Sequence, residues 1–528
     1  MPDLSRPSRF SRLSRFRSSV LAAGLLAACL PSQAQPFVLE EATLASVHAA
    51  FKAGTLSCQS LVQQYLARIE AYDKKGPALR AIITVSPDAM KTAAELDRRY
   101  REGKGPVGPL HCAPIVLKDN FNTADMPTSS GNLAMKDSRP RADAFSVARM
   151  REAGALILAK SNLQEFARGG VSISSLGGQV LNPYDLTRNP GGSSGGTGAA
   201  MAANFGLLGT GSDTGQSIRS PASANALVGV RPTRGLVSRS GVMPNSATQD
   251  EIGPITRTVA DAARLLEVMV GFDPKDPVTA LGVGKHPASY VGALQAGALN
   301  GARIGVMGNL YGREPRHAEV NAVMERAIAA MKSMGATIVR FELPEYDKLS
   351  TLVATDRYEA RTVFDQYFAD LGPGQPVTSF RQLVDSKTAS PAIQKTLEAE
   401  IAVENGMADP AYKDRTLNRE KLRILVASRM AELGIDAILY PLQRVLVSAA
   451  NQGDQPERNG TLSNGTGFPA VTFPAGFSTP TSSAPLGVPV GAELLATDYT
   501  EPRLLGYAYA FEQAMRVRKP PASTPALK

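Results

Sequence analysis

Two serines in glycine-rich loops are the residues of this sequence best suited to chemistry. Ser193 and Ser217 lie 24 positions apart in a stretch that runs from Gly191 to Ala222. Glycines let a backbone approach a ligand closely and adopt positive φ, and here they flank a hydroxyl in each loop. A serine hydroxyl becomes a nucleophile when a neighbouring base takes its proton. The stretch therefore predicts covalent catalysis on serine.

Histidine is an unsuitable base for these serines. Residues 191–195 formally match the Gly-x-Ser-x-Gly nucleophile elbow, which follows a strand and needs a later histidine. Residues 182–190 contain two prolines and cannot form a central strand. Of the four histidines, only His111 lies near a segment typical of a site, and it is expected to face solvent. No Gly-Lys-Ser/Thr follows the glycines, so a phosphate-binding loop is not predicted either.

Lys118 is the alternative base. It ends the apolar run Ile115–Leu117, which predicts a short buried strand. A free lysine has a pKa near 10.4, and lowering it to about 7 disfavours the charged form by about 4 kcal/mol, which burial can supply. From the residues alone a second interpretation stays open, in which Lys118 pairs with Asp119 or lies at the surface.

The stretch 191–222 resembles the amidase signature family position by position. It contains the glycine and serine pattern at 191–196, glycines at 209, 211 and 215, and Ser-Ile-Arg at 217–219 followed by Pro221. The segments around Lys118, 154–162, 178–183 and 467–470 resemble the same family, so the likeness covers about residues 40–515. It implies the amidase signature fold, a single α/β/α layered domain whose large central mixed β-sheet is covered by helices.

The resemblance also implies a Ser–cisSer–Lys triad. Ser217 would be the nucleophile, and Ser193, preceded by a cis peptide bond, would relay the proton between Ser217 and Lys118. Lys118 would be the general base. The implied reaction is hydrolysis of a carboxylic acid amide to an acid plus ammonia or an amine, through an acyl-enzyme on Ser217.

Further residues take supporting roles in the same resemblance. The oxyanion hole would be formed by four backbone N–H groups, those of Thr214, Gly215, Gln216 and Ser217. Three side chains would hold the two loops by hydrogen bonds and ion pairing, namely Ser194, Asp213 and Arg219. Gln216 departs from the pattern, since many relatives have glycine there.

The first 34 residues predict an export signal rather than part of the fold. Five arginines precede the short apolar run Val20–Leu30, and Ser32-Gln33-Ala34 suits a cleavage site. This predicts an exported bacterial enzyme, periplasmic or secreted. The residues 26–29 also resemble a lipobox, so lipidation at Cys29, with a membrane anchor, remains an open alternative. A basic nucleic-acid-binding tail would not explain the apolar run.

Charge and cysteine content limit the partners. Without residues 1–34 the net charge falls from +9 to about +5, which gives no case for nucleic acid. Cys58 and Cys112 remain, and export would permit but not require a disulfide between them. No clustered Cys, His, Asp and Glu spacing indicates a metal, and no cofactor is predicted. The expected partners are a small-molecule amide and water, and the oligomeric state is not predicted.

Short apolar strands alternate with helices along the chain, as in α/β domains. The amidase signature domain is predicted over residues 37–515, with a mostly helical insertion at about 350–433 and a Pro-rich tail at 516–528. Residues 87–102 predict a helix with Ser86 as N-cap and Pro87 in its first turn. Residues 197–208 predict another, and 160–192 a long functional loop.

The substrate cannot be read from the sequence. Its pockets are expected in loops 121–136, 164–176 and the region 340–460, with Lys160, Glu165 and Phe166 as candidate lining residues. Aliphatic and aryl amides, peptide amides, carbamates and esters stay open. Two other functions also stay open: an amidotransferase component that works with partner chains, and a non-catalytic lipid-anchored binding protein.

Overall fold

An eleven-stranded mixed sheet organises the chain. The computed structural model describes residues 37–527, so the predicted signal peptide and Cys29 lie outside the described residues. The strands are β1 (Ile82–Val85), β2 (Pro114–Lys118), β3 (Leu156–Ser161), β4 (Ile173–Ser174), β5 (Gly178–Gln179), β6 (Leu208–Asp213), β7 (Val228–Arg231), β8 (Glu251–Thr256), β9 (Arg303–Met307), β10 (Thr337–Phe341), β11 (Ala437–Pro441), β12 (Ala470–Phe477) and β13 (Pro489–Leu495). Strands β4 and β5 form a separate two-stranded ribbon.

Helices surround this sheet. They are α1 (Leu44–Lys52), α2 (Cys58–Arg68), α3 (Ala89–Gly103), α4 (Phe145–Glu152), α5 (Gly195–Ala202), α6 (Arg219–Ala224), α7 (Val259–Met269), α8 (Ala318–Ser333), α9 (Pro344–Leu349), α10 (Asp356–Leu371), α11 (Phe380–Asp385), α12 (Pro391–Ile401), α13 (Pro410–Leu433), α14 (Thr461–Thr466) and α15 (Glu501–Met515). Between residues 37 and 527, none has the length and apolarity needed to cross a bilayer.

The strands at the site are buried on both faces. Every residue of β2 and β3 is buried, as continuous apolar runs predict for a sheet covered by helices. The strand order is β1-β3-β2-β6-β8-β7-β12-β13-β11-β9-β10. Parallel pairs (β2 with β3 and β6, β9 with β10 and β11) mix with antiparallel ones. The predicted large mixed sheet is therefore confirmed.

Strand β2 brings the predicted base to the site. It ends at Lys118, as its apolar run predicted. Because β2 pairs parallel with β6, the carboxyl ends of both strands meet at one edge of the sheet, where Lys118 and Asp213 stand.

Strand β6 is not predicted by the sequence, which favours a helix over 197–208 and no strand after it. The helix α5 ends earlier, at Ala202. The glycines of β6 weaken the sequence pattern of a strand, yet close packing at these positions requires residues without a side chain. A Cβ at Gly209 would lie 2.6 Å from the Thr197 side chain, and one at Gly211 2.9 Å from Ser194 Oγ.

Two further predictions needed correction near the ends of elements. Helix α3 begins at Ala89 with Asp88 as N-cap, not at Pro87 with Ser86. Ser86 instead donates its N–H to Leu158 O at 2.8 Å, which continues the sheet pairing of β1 with β3. The loop 160–192 contains the ribbon β4–β5.

The predicted helical insertion lies between β10 and β11 and has an apolar core of its own. Phe364, Phe380 and Leu397 belong to this core, and so do Met135 and Phe166 from loops of the main domain. The rings of Phe364 and Phe380 stack with centroids 4.7 Å apart. The insertion is thus packed onto the loops that surround the site.

The two cysteines within the described residues, Cys58 and Cys112, form a disulfide. Cys58 begins α2 and Cys112 lies just before β2, with 54 residues of sequence separation. The neighbouring His111 is buried against Tyr100 and Phe51, so the expectation that it faces solvent was wrong. The Pro-rich tail also packs, because the Arg68 guanidinium donates to the carbonyls of residues 524 and 525.

Candidate active site

The amine of Lys118 lies at the centre of a buried polar cluster. Its Nζ lies 2.7 Å from Ser193 Oγ, 2.8 Å from Ser212 Oγ and 3.3 Å from Ser212 O. The peptide bond between Gly192 and Ser193 is cis, as the resemblance implied. Lys118 does not pair with Asp119, because that carboxylate lies 3.2 Å from Lys160 Nζ.

These three contacts fix the direction of the amine lone pair when Lys118 is neutral. A neutral amine has two N–H bonds to donate and one lone pair. Ser212 offers a carbonyl and a hydroxyl as acceptors, and its hydroxyl is held by a 3.0 Å hydrogen bond from Asn120 Nδ2. The lone pair is then left for the hydroxyl of Ser193. Ser212 was not predicted from the sequence.

Burial makes the neutral form of Lys118 available. The side chain is fully buried, and desolvation lowers the pKa of Lys118 to about 7, although the carboxylates of Asp213 and Asp250 act to raise it. Half of the molecules would carry a neutral amine near neutral pH. The group can therefore accept a proton, as a general base must.

Ser217 lies in the loop between β6 and α6 and borders a cavity. Its carbonyl accepts a 3.2 Å hydrogen bond from Ser194 N, which joins the two glycine-rich loops. Ser194 Oγ also donates to Ser212 O at 3.3 Å. Within residues 37–527 the Ser217 hydroxyl has no hydrogen bond, so the structure joins Lys118 directly to Ser193 and places Ser217 beside them through the backbone.

A buried ion-pair network shapes the Ser217 loop. Asp213 accepts from Arg219 Nε at 3.0 Å, from Arg231 Nη1 at 2.9 Å and from Ile218 N at 3.0 Å. Burial alone would raise the pKa of Asp213, but the two guanidinium groups hold it at about 2. Arg219 also donates to Glu493 on β13 at 2.8 Å. Asp213 and Arg219 thus contact each other, and Asp213 also contacts the backbone of the Ser217 loop.

The carbonyl of Gly215 is held from the opposite side of the loop. It accepts from Arg219 Nη2 at 2.6 Å and from Asn464 Nδ2 at 3.0 Å. In the part of the chain that the structure describes, no protein acceptor lies against the backbone N–H groups of residues 214–217. Thr214 is fixed through its hydroxyl, which donates to Asp250 at 2.6 Å. The four N–H groups of this loop can thus donate hydrogen bonds to an oxyanion.

The cavity beside Ser217 has a volume of about 760 Å³. Its lining comes from the Ser217 loop (residues 214–217), from residues 167–169, from the insertion (350–356, 396 and 400) and from residues 444–464. The walls hold three arginines, Arg168, Arg444 and Arg458, with four carboxylates among their neighbours, Asp356, Glu400, Asp454 and Glu457. The cavity is therefore polar and close to charge-balanced.

Several predicted pocket residues do not reach this cavity. Lys160 pairs with Asp119, Glu165 accepts from Asn132 at 2.7 Å, and Phe166 packs in the core of the insertion. The long loop contributes Ala167, Arg168 and Gly169 instead. Of the three predicted regions, 164–176 and 340–460 border the cavity and 121–136 does not.

The site residues that the sequence did not predict are remote in sequence or small. No local motif assigns Ser212, Asn464, Arg458 or Glu493 to this site, and only the folded chain brings them to the loop. No group of three or more His, Cys, Asp or Glu within residues 37–527 could hold a metal ion.

The chain is similar to known proteins over most of its length. The family model described as Amidase matches residues 60–505. The solved structure of the native peptide amidase from Stenotrophomonas maltophilia is 36% identical, with a TM-score of 0.82, and the match covers 93% of this chain and 100% of that one.

Two curated relatives are similar over almost their whole lengths. A probable amidase of Arabidopsis thaliana is 33% identical over 505 residues, 92% of each chain. A component chain of the glutamyl-tRNA(Gln) amidotransferase of Alkaliphilus metalliredigens is 33% identical over 497 residues, 91% of this chain and 98% of the relative.

Proposed function

The chain belongs to the Amidase family and is an amidase, a hydrolase of carboxylic acid amides, and from this premise we propose how its residues perform the reaction. Ser217 is the nucleophile, Ser193 relays its proton, and Lys118 is the general base. The observation that carries the assignment is the 2.7 Å contact between Lys118 Nζ and Ser193 Oγ beside the Ser217 loop.

Acylation begins when the Ser217 oxygen attacks the amide carbon. Its proton passes to Ser193 Oγ, while the proton of Ser193 moves to the lone pair of Lys118. The C–O bond to Ser217 forms as the carbonyl π pair moves onto oxygen. The protonated Lys118 then returns a proton through Ser193 to the nitrogen. The oxyanion pair re-forms the C=O bond as the C–N bond breaks, and ammonia or an amine leaves.

The N–H groups of Thr214, Gly215, Gln216 and Ser217 stabilise the oxyanion in this step. One such donor is typically worth about 3 kcal/mol in the transition state. Arg219 and Asn464 hold the carbonyl of Gly215 away from the oxyanion, so that the N–H of Gln216, on the opposite side of the same trans peptide unit, is turned towards it. Water then attacks the acyl carbon while its proton passes through Ser193 to Lys118. The C–O bond to Ser217 breaks, Lys118 returns the proton to Ser217 by the same path, and the acid leaves.

Labelling at Ser217 tests this assignment. A fluorophosphonate should label the parent on the peptide that contains Ser217, and intact mass should rise by one adduct. Ser217→Ala should lose both the label and amide turnover. Normal turnover by Ser217→Ala on amides that the parent hydrolyses would contradict the proposal. Ser223→Ala, a buried serine of α6 whose hydroxyl contacts Gly491 on β13, is the matched control that should keep the label.

The amide of a peptide or acylated amino acid is the substrate class we propose. The 36% identical relative is a peptide amidase, and a polar cavity of about 760 Å³ suits a peptide chain better than a small aliphatic amide. Hydrolysis rates across peptide amides, aryl amides and aliphatic amides should rank the first class highest. Carbamates and esters are the alternatives in that panel.

A second candidate function is favoured by one relative. The similarity to a component of an amidotransferase supports an enzyme that acts with partner chains. Purified parent that releases ammonia from peptide amides without any partner would contradict it. Activity that appears only on adding co-purified chains would support it.

Export is also part of the proposal. The arginine-rich and apolar pattern of residues 1–34 and the Cys58–Cys112 disulfide support an oxidising destination. N-terminal sequencing of the mature protein should begin near Gln35. A lipid-modified Cys29 in the membrane fraction would instead favour the anchored alternative.

A further inference from the structure

Arg458 lies against the loop that carries the nucleophile. The hydrogen-bond network orients the Gln216 amide so that its Oε1 accepts from Arg458 Nη1 and Nε, both at 2.9 Å. Gln216 directly precedes Ser217. A Cβ at Gly170 would lie only 2.1 Å from Arg458 Nη1, so the guanidinium is in close contact with the long loop as well.

Most of the donor capacity of Arg458 is left for a ligand. A guanidinium has five N–H groups, and Gln216 takes two of them. The Asp454 carboxylate lies 3.7 Å from Nη2, beyond a direct hydrogen bond, and its side chain is 75% exposed. For the other three N–H groups, residues 37–527 contain no acceptor at hydrogen-bond distance. Arg458 itself borders the cavity beside Ser217.

The Arg458 guanidinium is half-buried, with 30% of its side chain exposed, so a substrate that fills the cavity would displace water from it. Desolvation lowers the pKa of Arg458, and Asp454 only partly opposes it. A polar group removed from water is stabilised when it gains a hydrogen-bond partner. In a primary amide, such as the peptide amides proposed above, the leaving group is ammonia alone, so the partner of Arg458 belongs to the acyl side of the substrate.

We propose that Arg458, oriented by Gln216, is a specificity-determining residue that binds a neutral carbonyl oxygen on the acyl side of the substrate. This rests on the proposed function of Ser217. The carbonyl of an acylamino group, as in a peptide or N-acylated amino acid amide, supplies such an oxygen close to the scissile bond. A carboxylate fits less well, because four acidic side chains face three arginines in the cavity wall.

The proposal gives Gln216 a role that glycine could not fill. Its backbone N–H serves the oxyanion, while its side chain anchors the guanidinium. Gln216, where many relatives have glycine, therefore affects which substrates bind and leaves the catalytic steps unchanged.

Two amides that differ only in the acylamino group test the proposal. N-acetyl-phenylalaninamide contains the second carbonyl, and 3-phenylpropanamide lacks it. Arg458→Met should lower kcat/KM for the acetylated amide by about tenfold or more, the typical effect of losing a charged hydrogen bond, and for 3-phenylpropanamide by less than about twofold. Gln216→Gly should shift the ratio of the two kcat/KM values in the same direction by a smaller factor.

Controls separate this role from general damage. Arg313→Met removes one positive charge from an exposed pair with Glu342 and should leave both rates and their ratio unchanged. Equal losses on both amides in Arg458→Met, or none on either, would overturn the proposal while the function of Ser217 stands. A parent that hydrolyses neither amide and takes no fluorophosphonate label would contradict the proposed function instead.

Discussion

Replacing Lys118 tests the proton path most directly. A lysine at its ordinary pKa of 10.5 would be neutral in roughly one molecule in 3000 at pH 7, whereas with a pKa of about 7 half are neutral. Burial thus raises the concentration of the base by roughly 10³-fold at that pH. Lys118→Met removes the base, and we expect kcat/KM to fall by about 10³-fold, within the range for general-base catalysis.

The assay is kcat/KM on one amide between pH 5 and pH 10. The parent should rise about tenfold per unit below pH 7 and level off above it, as a base with that pKa requires. Lys118→Arg is the matched control: it keeps a positive charge but cannot become neutral, so it should be as inactive as Lys118→Met. An arginine variant with more than a tenth of the parent's activity would refute the reasoning, and so would an inflection near pH 7 that survives in Lys118→Met.

Three further predictions concern stability and loop position. Unfolded Lys118 keeps its proton up to about pH 10.5, and folded Lys118 only up to about pH 7. The free energy of unfolding of the parent should therefore rise as the pH rises through that window. Lys118→Met should have a higher Tm than the parent at pH 7, and the difference in Tm should narrow towards pH 10. Asn464→Ala loses a donor to Gly215 O and should lower kcat about tenfold with KM nearly unchanged, measured at saturating substrate. Cys58→Ser with Cys112→Ser should lower the free energy of unfolding by up to about 4 kcal/mol for a 54-residue separation, and reductant should lower the Tm of the parent but not of this variant.

The chemistry of the site could be predicted because it lies in local patterns. Lys118 ends an apolar run, and Ser193 and Ser217 lie in glycine-rich loops, so type and spacing made all three candidates, and the resemblance to the amidase signature family supplied their roles. The fold class followed from alternating strands and helices. These are features that a few consecutive residues carry.

The remaining features depend on contacts between distant segments. Strand β6 was not recognised because its glycines, which the close approach of Thr197 and Ser194 requires, weaken the strand pattern. Ser212 is one serine among many until β6 lies beside Lys118. Arg458 is far in sequence from the Gln216 side chain that it contacts, and no local periodicity could pair the two.

The contacts of Glu493 tie the nucleophile loop to the far half of the sheet. This carboxylate on β13 accepts from Arg219 at 2.8 Å and from Thr472 on β12 at 3.1 Å, and it also bonds the Tyr440 hydroxyl on β11. Strands β8, β7 and β12 lie between β6 and β13 in the sheet order. Because local unfolding of the loop alone would have to break this buried network, we expect the loop to unfold together with the sheet, in one cooperative step that also abolishes activity. In a denaturant titration, loss of activity and loss of tertiary structure should therefore share one midpoint.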